Sequence, residues 1–442
     1  MSILLLQADA RQIPLQDKSI HCCITSPPYW GLRDYGTSVW AGTDPLCDHS
    51  RQTSHQEGAI TTTSRPTNTN HEREPWIGGL CGKCGAVSVD AQVGKETLHD
   101  CLAWARGETP CGQCYVCALR VVFGEVHRVL RNDGVLFLVL SDTYARNPQK
   151  GDTSGWEKHA NWCTDPLPFH HRPAPPSMPP KNLLGMPWRV ALALQADGWI
   201  LRSEIIWHKP NPLPESMTDR VTRSHEQVFM FAKSPRYYFD AQAIAEAATT
   251  GNNSSSFCST HDLMTKPRLG KGPRKSDAVQ RNARDVWTIA TEPTPFAHYA
   301  TFPTALVHRC ILAGTSAAGC CPACAAPYVR LIDRQRLLDG RYTTQTVEQG
   351  WAPGCACDAG DPSPCVVFDP FTGSSATLLV ARKLGRHAVG VDLSWKYIHK
   401  ISRLRLSFTA LAEWEGRNGH HHTDEPYDSL PLFAHGCPEE TS

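Results

Sequence analysis

Three groups of residues carry side chains at the intervals that reactive sites need. The first is Ser26-Pro27-Pro28-Tyr29, which ends the apolar run His21 to Thr25. Two prolines cannot continue a central β-ladder, so the strand stops there in a stiff, preorganised turn. The second is Asp369-Pro370-Phe371-Thr372-Gly373-Ser374-Ser375, a tight turn. It lies between the strand-like Val366-Val367-Phe368 and a helical pattern from Ala376 to Leu384, closed by Gly385. Ala388-Val389-Gly390-Val391 follows and ends in Asp392. This is the layout of a nucleotide-binding crevice: a strand delivers a backbone turn to the ligand, and an acidic residue about 20 positions on accepts from ribose hydroxyls. The phosphate-cradling G-x-G-x-x-G is absent, which argues against NAD and for a nucleoside without phosphates. Asp369 and Asp392 both stand at strand ends, where such ligands sit.

The third group is the cysteines, 19 in all. The N-terminus has no basic stretch and only four consecutive apolar residues, so no export signal is expected and a reducing cytoplasm is. Disulfides are rare there, and clustered thiols point to metal. Cys81 and Cys84 form a zinc-knuckle turn that Cys47 and His49 would complete. Cys111, Cys114 and Cys117, with Cys101, form a second candidate site. Cys321 and Cys324, with Cys355 and Cys357, form a third, a small ribbon in which Cys320 is an alternative ligand. All are expected to be closed and structural, with no open catalytic position. Cys22 and Cys23 lie inside a strand and read as small buried hydrophobes.

The elements that must hold these residues read as α/β. Ile3 to Gln7 and His21 to Thr25 are strand runs, and Asp9 follows the first. Val121, Val122, Val126, Val129 and Leu130 share a helical face, which Arg131-Asn132-Asp133-Gly134 should end. Val135 to Leu140 is apolar without alternation, as in a strand buried on both faces. A helix over Leu183 to Ala196, strands at Trp199 to Trp207 and Val228 to Ala232, and a helix from Thr304 to Leu312 complete the reading. Net charge is +1, which excludes a uniformly basic nucleic-acid coat and leaves room for a local basic patch. No apolar run approaches the roughly 18 residues that span a bilayer, so no membrane is expected.

Ile24-Thr25-Ser26-Pro27-Pro28-Tyr29 resembles the catalytic motif of DNA amino-methyltransferases, and Asp369-Pro370-Phe371-Thr372-Gly373-Ser374 resembles their S-adenosylmethionine motif. The catalytic block precedes the cofactor block by roughly 340 residues, the permuted order of the family's β-group. Ile206 to Pro212 is similar to the segment facing the target base, and Ala300-Thr301-Phe302-Pro303 to the segment closing over the methionine end. Position 375 is Ser where the family commonly has Gly, a cost of order 1 kcal/mol if the turn needs a positive φ. The resemblance implies a Rossmann-like methyltransferase sheet with helices on both faces, circularly permuted and carrying Cys-rich zinc-binding insertions.

It also implies roles. Ser26, Pro27, Pro28 and Tyr29 are the catalytic set. The Ser26 hydroxyl and the Pro27 carbonyl would accept the N–H bonds of an exocyclic amine and free its lone pair, while Tyr29 stacks on a base turned out of the duplex. Asp9, Phe302, Asp369, Pro370, Phe371, Thr372, Gly373, Ser374 and Asp392 would hold S-adenosylmethionine. Trp207, Lys209 and Asn211 would face DNA. From its own charge, the basic segment Lys266 to Arg284 is expected to supply phosphate contacts, Lys271, Arg274 and Lys275 among them. Residues 1–40, 118–207, 301–319 and 366–415 are assigned to the methyltransferase domain, 41–117 and 320–365 to zinc-binding insertions, 208–300 to target recognition, and 416–442 to a flexible tail.

The expected activity is site-specific methylation of double-stranded DNA, with a cognate restriction endonuclease as a possible partner. Neutral Ser in place of the Asp usual for adenine favours cytosine N4 over adenine N6. Other readings are a glutamine or RNA N-methyltransferase and an inactive zinc-containing DNA-binding protein.

Overall fold

The computed structural model describes residues 1–30, 39–41, 87–89, 92–94, 96, 101–145, 178–247, 280–292, 302–336 and 344–407. The strands of the main sheet are β1 (Ile3–Gln7), β2 (Ile20–Thr25), β3 (Leu130–Leu140), β4 (Ile200–His208), β5 (His225–Ala232), β6 (Val286–Thr288), β7 (Val366–Asp369) and β8 (His387–Asp392). Helices α1 (Tyr115–Val129), α2 (Met186–Ala196), α3 (Thr304–Gly314) and α4 (Ala376–Lys383) flank it. The spatial order is β1-β8-β7-β2-β3-β5-β4-β6. All neighbours pair in parallel except β5, which is antiparallel to both β3 and β4.

Burial on both faces explains the apolar runs. Leu136, Leu138, Phe229, Phe231 and Phe368 pack toward α1 and α2, while Ile24, Phe137, Val228 and Val367 pack toward α3 and α4. Each such side chain contributes about 1.5–3 kcal/mol by leaving water. Helix α3 lies so close to the sheet that a Cβ on Gly314 would stand 2.6 Å from the Cys22 sulfur. Cys22 and Cys23 are indeed fully buried sheet residues.

Three expectations need correction. Leu130 already belongs to β3, so Arg131 to Gly134 do not end a helix. The Leu130 N–H caps α1 through the Val126 carbonyl, and the backbone turns extended at that residue. The boundary of the first insertion at 117 falls inside α1, which begins at Tyr115. Residues 208–300 are not separate from the sheet, because β5 and β6 lie within them. The second Cys-rich stretch does form a ribbon: Val329–Arg336 pairs antiparallel with Thr344–Ala352. The tail expected at 416–442 lies outside the described residues. No helix among the described residues is long and apolar enough to cross a membrane.

Candidate active site

The chain diverges around the β7–β2 pair. From β7 it moves through α4 to β8 on one side, and from β2 through α1 to β3 on the other. The crevice at the carboxyl ends of two such strands is where α/β sheets bind ligands. Both reactive turns open there, Ser26–Tyr29 after β2 and Pro370–Ser375 after β7. They are tied directly. The Thr25 hydroxyl donates to Asp369 Oδ1 at 2.7 Å, the Phe371 N–H donates to the same oxygen at 3.0 Å, and the Thr377 hydroxyl donates to Oδ2 at 2.8 Å. Asp369 is therefore a buried knot between the two turns. Burial raises its carboxyl to about 6, against the pull of the two threonine hydroxyls.

The Ser26–Tyr29 turn is gripped from three sides. Tyr115, at the start of α1, donates its hydroxyl to the Pro28 carbonyl at 3.0 Å. Gly94 approaches so closely that a Cβ there would lie 3.1 Å from the Pro28 and Tyr29 carbonyl oxygens. The Tyr29 hydroxyl donates to Glu226 Oε2 at 2.7 Å. Glu226 in turn pairs with Lys209, whose ammonium stands 4.4 Å from the Trp207 ring centroid. Ser26 lies within hydrogen-bonding reach of the Tyr29 hydroxyl, and burial beside Glu226 keeps that hydroxyl neutral by pushing it well above the usual tyrosine range. The ring is thus fixed at its far end.

On the other side, the Gly373 N–H donates to Asp392 Oδ2 at 2.9 Å and the Ser394 N–H to Oδ1 at 2.8 Å. Burial raises Asp392 to about 6, against these two backbone donors. The turn is backed by Ser402, whose hydroxyl donates to the Gly373 carbonyl at 2.6 Å, and by Arg405, which donates to the Ser374 hydroxyl at 2.7 Å. Ser375 does take a positive φ, +61°, at the N-cap of α4. Asp9 follows β1, the strand beside β8, and accepts a bidentate pair from Arg11, Nε to Oδ1 at 3.0 Å and Nη2 to Oδ2 at 2.6 Å. Phe371 and Phe302 are half-buried. A carboxylate at a strand end, with both oxygens fixed by backbone donors, fits the hydroxyls of a ribose.

The cysteines separate into the expected groups where they are described. The sulfurs of Cys101, Cys111, Cys114 and Cys117 lie within 4.8 Å of one another, as do those of Cys321, Cys324, Cys355 and Cys357. Despite burial, N–H groups of Gln113 and Cys114 bring the Cys111 thiol down to about 6. Backbone donors from Cys324 and Ala323 bring Cys321 to about 7. Cys320 belongs instead beside His21 and Cys365. His21 is no free ligand there, since Nδ1 accepts from the Val366 N–H at 3.0 Å and Nε2 lies 2.8 Å from the Ala325 carbonyl. Cys47, His49, Cys81 and Cys84 lie outside the described residues, as do Lys271, Arg274 and Lys275.

Trp207 is not on a DNA-facing surface. It is 3 % exposed, and its indole N–H donates to the Ile289 carbonyl at 2.8 Å. Its even position in β4 turns it into the core and makes it the platform for Lys209. Both ends of the Asn211 amide engage Thr291, at 2.9 and 3.0 Å. Sequence reasoning missed Tyr115, Glu226 and Thr377. The one available signal was Glu226, an acidic residue just ahead of the apolar run Val228 to Ala232.

A sequence profile described as DNA methylase, of N6 and N4 type, matches residues 20–321 and 362–403. The chain is 29% identical over 398 residues to the Type II methyltransferase M.SmaI of Serratia marcescens, covering 89% of this chain and 87% of that one. It is 28% identical to M.Cfr9I of Citrobacter freundii, covering 91% and 87%. Among solved structures, the cytosine-N4-specific PvuII DNA methyltransferase aligns with a TM-score of 0.44 and 12% identity, over 94% of this chain and 90% of that one. With most of its length matched by the profile, the chain belongs to the DNA methylase family of amino-methyltransferases.

Proposed function

We propose that the protein is a site-specific, S-adenosylmethionine-dependent methyltransferase acting on the N4 amine of a cytosine turned out of duplex DNA. The observation that carries this reading is the Thr25–Asp369 hydrogen bond, which joins the amine-facing turn to the adenosyl-facing turn at adjacent strand ends. When bound, the cofactor supplies an electrophilic methyl whose leaving group is a neutral thioether, so the chain needs no strong base. Its own residues provide alignment. Asp392 accepts from ribose hydroxyls, and Phe371 and Phe302 cover the apolar parts. The Ser26 hydroxyl and the Pro27 carbonyl accept the amine's N–H bonds and draw its lone pair out of the ring. Tyr29, held by Glu226, stacks on the extruded base.

Ser26 is neutral and short, which suits a pyrimidine seated deep in the pocket without a charge to desolvate. The order of the two turns along the chain makes this a permuted methyltransferase sheet, with the catalytic strand near the start and the adenosyl strand near the end. The two described four-cysteine groups each hold a closed structural zinc, as thiols in a reducing cytoplasm allow. The Type II naming of its relatives supports a cognate restriction endonuclease against which the methylated site is protected. Incubation with unmethylated duplex DNA and labelled S-adenosylmethionine, digestion to nucleosides and mass identification should yield N4-methylcytosine. N6-methyladenine alone overturns the choice of base, and no methylated nucleoside overturns the activity.

A further inference from the structure

We infer that the Cys101–Cys111–Cys114–Cys117 group is a zinc clamp on the catalytic turn, so that its metal sets how the target base is gripped. The inference rests on reading Ser26–Tyr29 as the base-gripping turn.

The geometry is that of a tetrathiolate. Four thiolates about 2.3 Å from a tetrahedral zinc stand about 3.8 Å apart. Here Cys101 and Cys117 are 3.7 Å apart and Cys111 and Cys114 are 3.6 Å apart. The Gln113 and Cys117 N–H groups point at the Cys111 and Cys114 sulfurs, each at 3.5 Å, the donors that stabilise thiolate charge. Four protein ligands fill the coordination shell, which makes the site structural.

What sets this site apart is its place in the fold. Cys114 is the N-cap of α1 and Cys117 lies in its first turn. Tyr115 stands between them, 1 % exposed, with its hydroxyl on the Pro28 carbonyl. One turn further, Arg120 closes the same loop by donating to the Glu108 carbonyl at 3.0 Å and to Asp197, the C-cap of α2, at 2.7 and 2.6 Å. A metal joining Cys101 and Cys111 to the helix start holds that first turn wound. With it, Tyr115 keeps Pro28 at a fixed height above the sheet. Without it, the four thiols share a small volume with only weak sulfur hydrogen bonds to draw them together, and the first turn, already short of internal hydrogen bonds, frays.

The second group occupies the opposite end of the sheet. Arg131 donates to the Cys324 carbonyl at 2.8 Å and His21 lies 2.8 Å from the Ala325 carbonyl, both at the amino ends of β3 and β2. Loss of its metal loosens the ribbon without a direct line to Pro28.

A double-mutant cycle on full-length protein tests the clamp. Elemental analysis, the dissociation constant of S-adenosylhomocysteine, and kcat and KM on duplex DNA are measured for wild type, Cys111→Ser, Tyr115→Phe and the double variant. Cys111→Ser is expected to lose one zinc, keep its S-adenosylhomocysteine affinity within about twofold, and lose roughly tenfold or more in kcat, more than Cys357→Ser loses. Tyr115→Phe is expected to keep every zinc and lose roughly fivefold in kcat, the worth of one hydrogen bond. The double variant should lose no more than Cys111→Ser alone, because both act through one contact. Additive losses overturn the clamp, as does a zinc-depleted Cys111→Ser with undiminished kcat.

If Cys111→Ser does not fold, cobalt(II) replaces zinc in the other two proteins. Duplex DNA with S-adenosylhomocysteine should shift the thiolate–cobalt absorption in wild type and not in Tyr115→Phe. No shift in wild type overturns the proposal. A folded, zinc-loaded wild type that methylates no DNA fails at the earlier reading of the turn. A methylating enzyme with additive losses fails only here.

Discussion

Ser375 holds a left-handed backbone conformation that serine adopts at a cost of about 1 kcal/mol. Ser375→Gly should therefore be more stable than Ser375→Ala by about 1 kcal/mol in urea denaturation, although glycine is the poorer residue in most helical positions. Both variants lose the same hydroxyl, so the difference isolates the backbone. Asp392 carries a pH dependence of known sign. On the proposed reading its carboxyl, raised to about 6 by burial, accepts ribose hydroxyls only when ionised. S-adenosylhomocysteine affinity measured by calorimetry should hold above pH 6 and fall as pH drops below it, approaching tenfold per unit. Stability runs the other way. A folded value near 6 against about 3.9 unfolded gives a contribution complete below about pH 4 and lost as pH rises through 6. Asp392→Asn should flatten that part of the stability profile. The two turns were legible in the sequence because proline and glycine punctuate strands by local sterics. The contacts of Tyr115, Glu226 and Thr25 were not, because each acts on a partner 87, 197 or 344 positions away.

The apolar runs β2, β3 and β7 announce a doubly covered sheet, since helices on both faces leave no position for alternation. Boundaries were harder. Arg131-Asn132-Asp133-Gly134 has the composition of a helix stop, yet Arg131 and Asp133 pair with each other at 2.8 Å, and their backbone already runs in β3. Trp207 was expected to face DNA because Ile206 to Pro212 resembles a base-facing segment, and its burial and indole hydrogen bond to Ile289 show that it turns inward. The contact of α3 with β2 gives an element-scale test. Gly314→Ala places a methyl 2.6 Å from the Cys22 sulfur and 2.8 Å from Val135. Overpacking there should cost about 1–3 kcal/mol in denaturation, with no change in zinc content.

At the scale of the whole molecule, a net charge of +1 leaves DNA affinity to local basic segments. Replacing Lys271, Arg274 and Lys275 together by Ala should make the slope of log affinity against log salt shallower by about 3, with kcat at saturating DNA retained. An unchanged slope would remove the segment from the interface. The Thr25–Asp369 hydrogen bond has one more consequence, for the time at which the enzyme comes into being. It joins residues 344 positions apart, and β1 has β8 as its sheet neighbour. A nascent chain that already displays the Ser26–Tyr29 turn still lacks the strand that flanks it and the strand that covers β1. Synthesis must run past Asp392 before both turns stand in one sheet, so a chain truncated before Asp369 is expected to transfer no methyl group. Contacts of that separation close late and slowly, so methyl transfer is expected to begin only after the C-terminal strands have docked.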